Sequence, residues 1–220
     1  MERVRIAVVL PCLNERSSVK EVICDWLSVS KNLDVYFCDN GSTDGSLEEA
    51  MLISDPRLHI LQEEKRGKGC AVRKVLKEVS ADVYVLCDVD CTYEASMRVI
   101  EPVLNGECDL CVGWRESYFR QDRRLVNSLG NRMASLFCMI GSHVRIKDPL
   151  SGLRAFSGIF AENLVLPDGF SMEAAMAKHA GKNRFKVLSV PIGYQPRSGE
   201  EASKISFFRD GFSIIKSFFL

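Results

Sequence analysis

The chain contains 220 residues, of which 46% are hydrophobic and 26% are charged. These proportions are typical of a folded globular protein and exclude a disordered or fibrous chain. Its 29 basic and 29 acidic residues cancel, which excludes a generally basic nucleic-acid-binding protein. We find no run of about 18 apolar residues, and the first apolar stretch is followed by no signal-peptide cleavage site. We therefore expect a cytoplasmic protein without a membrane span.

The nine cysteines are an odd number and have no disulfide-like pattern. Cys87 with Cys91, and Cys108 with Cys111, have roughly the spacing of zinc ligands. However, Cys87 and Cys111 fall inside predicted strands, whereas zinc knuckles need turns. We therefore interpret these residues as buried thiols of a protein in a reducing compartment.

Strand and helix patterns alternate along the first half of the chain. Apolar runs predict strands at 6–10, 33–38, 58–61, 83–87 and 109–113. Helical spacing of apolar residues predicts intervening helices that begin near 18, 46, 69 and 94, the first two opened by the capping boxes Ser18/Glu21 and Ser46/Glu49. This order predicts an α/β fold with a central, mainly parallel sheet flanked by helices.

The alternation is less regular in the second half of the chain. The patterns there predict a helix at 125–140, a loop at 147–157 leading into a strand, a helix at 171–180, a strand at 185–191 and a helix at 205–220. We find no linker, internal repeat or low-complexity stretch, so the sequence predicts one domain.

Polar residues follow three of the predicted strands. In an open parallel sheet, ligands bind beyond the carboxyl ends of the strands, so these residues are expected to meet at one edge. The set is Pro11, Asn14, Glu15, Asp39, Asn40, Gly41, Ser42, Asp88 and Asp90. This edge lacks both G-x-G-x-x-G and G-x-x-x-x-G-K-[ST], so neither a dinucleotide fingerprint nor a P-loop is predicted.

Asp88 and Asp90 form the most informative pair at this edge. They are two residues apart, so in extended backbone both carboxylates leave the same face. Mg²⁺ or Mn²⁺ would relieve their repulsion and complete its octahedron with phosphate and water. Such an ion would neutralise the charge that develops on a diphosphate leaving group. The alternative is a pair of solvated turn aspartates, but their position at the end of an apolar strand favours a metal site.

An ordered set of motifs gives the chain a specific resemblance. The segments PCLNE, CDNGSTDG, RGKGCAVRKVL and CDVDCTY resemble the family-2 glycosyltransferases of the GT-A fold, a Rossmann-like α/β sandwich. The later segments resemble the subgroup that makes polyprenyl-phosphate sugars, such as the dolichyl-phosphate mannose synthases: DPLSGLRAFS, GFSMEAAMAKHA, VPIGY and PRSGEEASKI. The resemblance implies a nucleotide-sugar-binding half over about 1–115 and an acceptor-binding half over about 116–220.

The resemblance implies roles for the matching residues. Asp39 would accept a hydrogen bond from the nucleotide base, which suits a carboxylate facing a ring N–H, and Asp88 and Asp90 would hold the metal and the diphosphate. The residues implied to contact the nucleotide-sugar are Pro11, Asn14, Glu15, Asp39, Lys68 and Asp88. For Lys68, a solvated lysine at a helix start is the alternative.

Catalytic and acceptor roles are implied for residues of both halves. Asp90, Asp148 and Arg154 would be catalytic, while Arg197, Ser203 and Lys204 would bind the acceptor phosphate. Arginine grips phosphate as a fork and lysine acts as a point charge. A solvated basic loop is the alternative for the last three. Glu173 also matches a family position, but an ordinary surface or helix-capping glutamate is an equal interpretation.

The sequence departs from the subgroup in two places. The synthases often have glutamine as a further metal ligand two residues after the second aspartate, where this chain has Thr92. Their usual G-E-S-K spacing is longer by two residues here, because the chain reads GEEASK. The first departure affects the metal shell and the second affects the placement of Lys204.

The resemblance implies an inverting, metal-assisted transfer of sugar from a GDP-mannose or UDP-glucose type donor to a polyprenyl phosphate such as dolichyl phosphate. A phosphate acceptor is already anionic at neutral pH, so it needs no general base. The first alternative is a hydroxyl acceptor, such as a glycerate or a growing glycan, with Asp148 or Glu173 as base. A nucleotidyltransferase and a non-enzymatic sugar-nucleotide-binding module are further alternatives.

The last residues of the chain form an amphipathic pattern. Apolar residues spaced by three and four give one stripe: Ile205, Phe208, Phe212, Ile215 and Phe219. Such a helix suits a membrane interface, so we expect a peripheral protein on the cytoplasmic face, with Leu125, Leu129, Met133 and Leu136 as a second apolar surface. The alternative is that the helix packs on its own domain or in a homodimer.

Overall fold

The structure is a computed structural model that describes residues 4–115, 135–136, 138–168 and 172–195. Its strands are β1 (Ile6–Cys12), β2 (Leu33–Asp39), β3 (Leu58–Gln62), β4 (Val83–Leu86), β5 (Leu110–Trp114), β6 (Arg154–Ser157) and β7 (Val187–Pro191). Its helices are α1 (Arg16–Val29), α2 (Ser46–Met51), α3 (Lys68–Glu78), α4 (Glu101–Leu104), α5 (Gly158–Ala161) and α6 (Met172–Lys182), with a 3₁₀ turn at Met97–Val99. Residues 138–142 are also helical.

The seven strands form one sheet in the order β3-β2-β1-β4-β6-β5-β7. All neighbouring pairs are parallel except those of β6, which runs antiparallel to both β4 and β5. The predicted α/β fold with a mainly parallel sheet is therefore confirmed. The position of β6 between β4 and β5 was not predicted, because strand order depends on pairing between distant segments.

The sheet is buried on both faces, which explains the apolar runs of its strands. On β1, Val8 packs into one apolar cluster with Trp26 of α1. The next residue, Val9, packs into the opposite cluster with Val72 of α3 and Met176 of α6. Because successive side chains of a strand point to opposite faces, β1 needs apolar residues at every position.

Both predicted capping boxes are wrong. Helix α1 begins two residues before Ser18, whose hydroxyl donates to the carbonyl oxygens of Glu15 and Val89. Ser46 lies inside α2, which follows Gly45 in the left-handed conformation at φ 93°. Ser18 therefore joins α1 to the segment after β4, and Ser46 joins α2 to the loop after β1, because its Oγ accepts from the Glu15 N–H at 2.9 Å.

The predicted helix at 94–104 is divided into a 3₁₀ turn and the short α4. The Ser96 hydroxyl accepts a hydrogen bond from the backbone N–H of Arg98 and caps the turn. Pro102 lies in the first turn of α4. Its missing N–H is tolerated there because the first N–H groups of a helix have no partner within the helix, but inside a longer helix it would interrupt the hydrogen bonding. The predicted helix at 125–140 lies mostly outside the described residues, and the C-terminal helix at 205–220 lies wholly outside them.

Within the described ranges, no helix has the length and apolar character needed to cross a bilayer.

Candidate active site

The predicted polar clusters lie at one edge of the sheet. Strands β2, β1 and β4 are consecutive and parallel, so the loops that follow their carboxyl ends are neighbours. Pro11 lies within β1 and Asp39 is the last residue of β2. Strand β4 ends at Leu86, and Asp88 and Asp90 follow two and four residues later. The structure thus brings the expected residues of all three loops to one rim.

The loops after β1 and β2 are joined by hydrogen bonds. The N–H of Asn14 donates to Ser42 Oγ at 3.0 Å, and Asn14 Oδ1 accepts from the N–H of Thr43 at 2.8 Å. The N–H of Glu15 donates to Ser46 Oγ at 2.9 Å. Asn14 adopts φ 57°, a left-handed conformation that asparagine tolerates better than most residues. The two loops therefore form one continuous polar surface.

Asp39 and Asn40 shape the end of β2. The buried Asp39 carboxylate accepts hydrogen bonds of 3.1–3.3 Å from the backbone N–H groups of Gly41 and Ser42. The Asn40 side chain donates to the carbonyl oxygens of Glu63 and Lys65, and its Oδ1 accepts from the Gly67 N–H. Asn40 therefore holds the loop that leads into α3 against this edge. Its organising role was not predicted.

Asp88 forms an ion pair with Lys68, which also contacts Glu173. Lys68 Nζ lies 2.6 Å from Asp88 Oδ1 and 3.1 Å from Glu173 Oε1. Burial alone would lower the pKa of Lys68, but the two carboxylates outweigh it and raise that pKa above its ordinary value. The ammonium therefore stays charged at neutral pH. Glu173, which the sequence left undecided, is a member of this cluster.

Asp90 is held by the residue that replaces the glutamine of the synthases. The Thr92 hydroxyl donates to Asp90 Oδ1 at 2.5 Å, and the Thr92 N–H donates to the same oxygen at 3.1 Å. Thr92 is buried, with 5% of its surface exposed. In this structure Thr92 orients the Asp90 carboxylate, a role for which its short side chain is sufficient.

Gly152 forms the surface on which the Asp88 carboxylate lies. A Cβ placed on Gly152 would lie 2.0 Å from Asp88 Oδ2, well inside van der Waals contact. The Gly152 N–H donates to Tyr93 Oη at 2.8 Å, and burial raises the pKa of Tyr93 above its ordinary value. A glycine is required here because the carboxylate approaches the backbone directly.

Gly152→Ala is expected to move the Asp88 carboxylate by more than about 1 Å and to lower activity at least about a hundredfold, since catalytic geometry tolerates little displacement. Thermal unfolding should change far less than activity, because the substitution adds a single methyl group beside a side chain that can rotate. Gly106→Ala gives the opposite contrast: its methyl group would meet nothing within 4 Å, but Gly106 has φ 70°, so the substitution strains the backbone and should lower stability while leaving activity unchanged. Equal activity of Gly152→Ala and the native protein would contradict this geometry.

Asp148 and Arg115 form a buried, two-pronged ion pair. Arg115 Nε lies 2.6 Å from Asp148 Oδ2, and Nη2 lies 2.8 Å from Oδ1. Burial alone would lower the pKa of Arg115, but the hydrogen-bonded Asp148 outweighs it and raises that pKa. The Arg115 guanidinium also lies 5.2 Å from the centre of the Tyr194 ring. Asp148 has no exposed surface, so in this conformation it positions Arg115, and direct contact with substrate stays a prediction.

Arg154 is also fully buried. Its Nε donates to the carbonyl oxygen of Ser151 at 3.0 Å, and Nη2 donates to that of Pro149. Within the described part of the chain, Nη1 has no hydrogen-bond partner. Arg154 therefore braces the loop that carries Asp148 and Gly152. The predicted catalytic role of Arg154 stays a prediction, as do the roles of Arg197, Ser203 and Lys204, which lie outside the described residues.

The residues at this edge fit a divalent ion that keeps water and substrate ligands. In the described ranges, no group of three or more His, Cys, Asp and Glu side chains converges as a ready-made metal cage. Mg²⁺ and Mn²⁺ are commonly bound by one or two carboxylates plus phosphate oxygens, which is what Asp88 and Asp90 offer. By contrast, Cys87, Cys108 and Cys111 are buried thiols of the core as predicted, whereas the prediction is wrong for Cys91, which is half-buried.

Comparison with solved structures identifies the GT-A fold in this chain. The fold is similar to that of glucosyl-3-phosphoglycerate synthase from Mycobacterium tuberculosis, solved in complex with uridine diphosphate, with a TM-score of 0.75 and 21% sequence identity. The similarity covers 98% of this chain and 79% of that one.

Residues 7–163 match the sequence model of the family described as Glycosyl transferase family 2, and the chain belongs to this family. It is 30% identical to glycosyltransferase AglJ of Haloferax volcanii over 94% of this chain and 68% of that protein. It is 25% identical to the dolichyl-phosphate hexose transferase of the same organism over 96% of this chain and 91% of that protein. The chain is therefore a family-2 glycosyltransferase, as its motifs predicted.

Proposed function

We propose that this enzyme transfers a hexose from a nucleotide-diphospho-sugar of the GDP-mannose or UDP-glucose type to a polyprenyl phosphate, with inversion at the anomeric carbon. The observation that carries the proposal is the cluster of Asp39, Asp88, Asp90 and Lys68 at one edge of the sheet. Such a cluster suits a ligand with a base at one end and a diphosphate at the other. The acceptor class is supported by the name of the dolichyl-phosphate hexose transferase, which matches along almost its whole length.

The nucleotide would lie on the joined loops after β1 and β2. Each carboxylate oxygen has two lone pairs, so Asp39 can accept from a base N–H while it holds Gly41 and Ser42. Pro11, Asn14 and Glu15 would form the adjoining wall. A polar depression of about 500 Å³ opens beside these loops, and its lining includes Asn14, Glu15 and Asp44.

The diphosphate would lie over Asp88 and Asp90. These carboxylates would hold Mg²⁺ or Mn²⁺, which when bound supplies positive charge to the departing nucleoside diphosphate. Thr92 keeps Asp90 in place and Gly152 supports Asp88, so the two carboxylates are oriented before substrate arrives. Preorganised charge of this kind is often the largest single contribution to catalysis.

The acceptor phosphate would attack the sugar without help from a base. One of its oxygens forms the bond to the anomeric carbon while the bond to the nucleoside diphosphate breaks, and no proton is transferred. The chain therefore needs in-line placement and cations around two phosphates. We assign acceptor-phosphate contact to Arg197, Ser203 and Lys204.

We further propose that the enzyme binds a membrane surface peripherally, where a polyprenyl phosphate is met. Leu136, Met139 and Ile140 are 50%, 43% and 51% exposed. Their spacing of three and four residues places them on one helical face. This exposed apolar face supports contact with a membrane surface, and the amphipathic pattern of 205–220 remains a prediction from the sequence.

An acceptor comparison tests the proposal. Vesicles carrying a polyprenyl phosphate, and 3-phosphoglycerate as the hydroxyl acceptor, are assayed side by side with GDP- and UDP-hexoses. We expect transfer to the lipid phosphate to be at least about a hundredfold faster, and we expect the enzyme to float with the vesicles. Faster transfer to the hydroxyl acceptor would support the alternative acceptor class, and flotation without transfer would contradict the assigned reaction.

A further inference from the structure

The Lys68 ammonium contacts Asp88, one of the two carboxylates that the proposed function assigns to the metal. Its ammonium lies 2.6 Å from Asp88 Oδ1 and 3.1 Å from Glu173 Oε1. Only 16% of the Lys68 side chain is exposed, with 31% for Asp88 and 13% for Glu173. A contact this short between partly desolvated charges is a strong, charge-assisted hydrogen bond. In this state Asp88 already has a cation.

The two glycines beside Lys68 fix its position. A Cβ on Gly67 would lie 1.9 Å from the carbonyl oxygen of Asp168, and a Cβ on Gly69 would lie 1.8 Å from that of Pro167. The backbone that leads toward α6 therefore packs directly on the first turn of α3. Because α6 carries Glu173, this close approach brings Glu173 to Lys68.

Ion pairs strengthen the same junction. Asp168 Oδ2 lies 2.7 Å from Lys65 Nζ, and Asp168 also pairs with Arg73 of α3. Arg73 donates in addition to the carbonyl oxygen of Leu166. The contact between Lys68 and Glu173 therefore belongs to a built junction between α3 and the segment before α6.

Helix energetics do not explain a lysine at this position. Lys68 is the first residue of α3, whose first turn contains no acidic residue. A cation there faces the positive end of the helix dipole, which is unfavourable. Asp88 and Glu173, which lie outside α3, must offset this unfavourable interaction. This favours a role for the Lys68 charge in the site itself.

We propose that Lys68 is a built-in counter-cation of Asp88 that a divalent ion must displace, and that Glu173 is the positioning residue that retains the ammonium after it leaves Asp88. The inference rests on the proposed function, because it takes Asp88 and Asp90 as the metal ligands. Like charges this close repel, so an ammonium that stayed on Asp88 would oppose the ion. Since Lys68 already contacts Glu173, it can leave Asp88 without losing every partner.

This exchange would order the binding steps. Without donor, the single positive charge of Lys68 contacts both Asp88 and Glu173 and offsets one of their two negative charges, so the site has a lower affinity for the metal than it would have without the lysine. A nucleoside diphosphate offers its own anionic oxygens to both the ion and the released ammonium. Metal and donor are therefore expected to bind together. The Lys68 ammonium would contact Asp88 in the free enzyme and the nucleotide in the complex, which agrees with the contact predicted from the sequence.

Mn²⁺ binding to the nucleotide-free enzyme, followed by the paramagnetic resonance of free Mn²⁺, tests this exchange. Lys68→Met should bind Mn²⁺ about tenfold more tightly than the native enzyme, because one nearby positive charge is removed. Glu173→Gln should bind it several-fold more weakly, since the ammonium then has Asp88 as its remaining carboxylate. The double variant should match Lys68→Met within about twofold, because Glu173 acts through Lys68.

Matched variants separate this role from a structural one. Lys68→Arg keeps the charge and should stay within a few-fold of the native affinity. Lys74→Met removes a lysine of the same helix that pairs with Glu78 at 2.9 Å and should leave affinity unchanged. Thermal unfolding in EDTA and in Mn²⁺ shows whether each variant folds. If Lys68→Met folds only with Mn²⁺, the metal has replaced the lysine and the inference holds. If it folds in neither condition, the Mn²⁺ affinity of Glu173→Gln is the deciding measurement.

Three outcomes would overturn the inference. The first is a Lys68→Met enzyme that binds Mn²⁺ no more tightly than the native enzyme. The second is a Glu173→Gln enzyme with native or higher affinity. The third is a double variant far weaker than Lys68→Met, which would make Glu173 a direct ligand. Native transfer that persists in EDTA would contradict metal use in the proposed function itself, whereas metal-dependent transfer with unchanged Lys68→Met affinity would contradict the lysine exchange alone.

Discussion

Asp90→Asn is expected to lower kcat about a thousandfold at saturating donor and Mn²⁺, since a metal ion contributes several kcal/mol of charge stabilisation in the transition state. The substitution removes a charge but keeps the shape of the side chain. Thr92 can still donate to the remaining oxygen, so folding should be nearly unaffected. Steady-state kinetics over a Mn²⁺ titration, with thermal unfolding as the folding check, measure both effects.

Asp88→Asn should give a loss of similar size, with one difference. It also removes the partner of Lys68, so its effect on stability should be larger than that of Asp90→Asn. Asp34→Asn is the matched control, because Asp34 belongs to β2 of the same sheet, near the strand's opposite end, and its carboxylate lies in an exposed contact of 3.4 Å with His59. Full turnover of Asp90→Asn, or of the native enzyme in excess EDTA, would show that this edge does not use a metal.

Asp148→Asn is expected to lower the free energy of unfolding by about 3 kcal/mol or more, because breaking a buried ion pair leaves one charge without its counter-ion. Arg115, whose side chain is 14% exposed, would lose the carboxylate that it contacts through both Nε and Nη2. Urea unfolding at neutral pH measures the loss. For a chain of this size it corresponds to roughly 6–12 °C in Tm.

A double substitution separates the pair from the site around it. Arg115→Met with Asp148→Leu removes both charges, and such replacements are often close to neutral in stability. The double variant should therefore be more stable than Asp148→Asn alone. If Asp148→Asn retains native stability but loses transfer to a hydroxyl acceptor, the carboxylate acts in chemistry and the pairing with Arg115 is secondary.

The candidate site divides into residues that local pattern could identify and residues that it could not. Asp39, Asp88 and Asp90 each follow an apolar strand, and parallel strands place their carboxyl ends at one edge. Those three positions could therefore be predicted together. Arg115 also follows a strand directly, but it lies outside the motifs that carry the family resemblance. Its position after a strand could have identified it as a candidate site residue.

Glu173 and Gly152 show the limit of local pattern. Glu173 lies 105 residues from Lys68 along the chain, and its helical context resembles that of any surface glutamate. Gly152 stands in a loop where glycine is common, and its contact with Asp88 depends on how β6 returns between β4 and β5. The charges and the residue spacing within one segment do not predict which distant segment will pack against that segment.

The sequence by itself determined the α/β class, the family-2 resemblance and the acidic edge, because each depends on periodicity or on a motif within a few residues. Only the tertiary structure decided that Lys68 bridges Asp88 and Glu173, that Thr92 orients Asp90, and that Asp148 is buried against Arg115. The physical reason is that these contacts depend on strand order and on backbone packing at Gly67, Gly69 and Gly152. Both arise when distant segments bury their surfaces against one another.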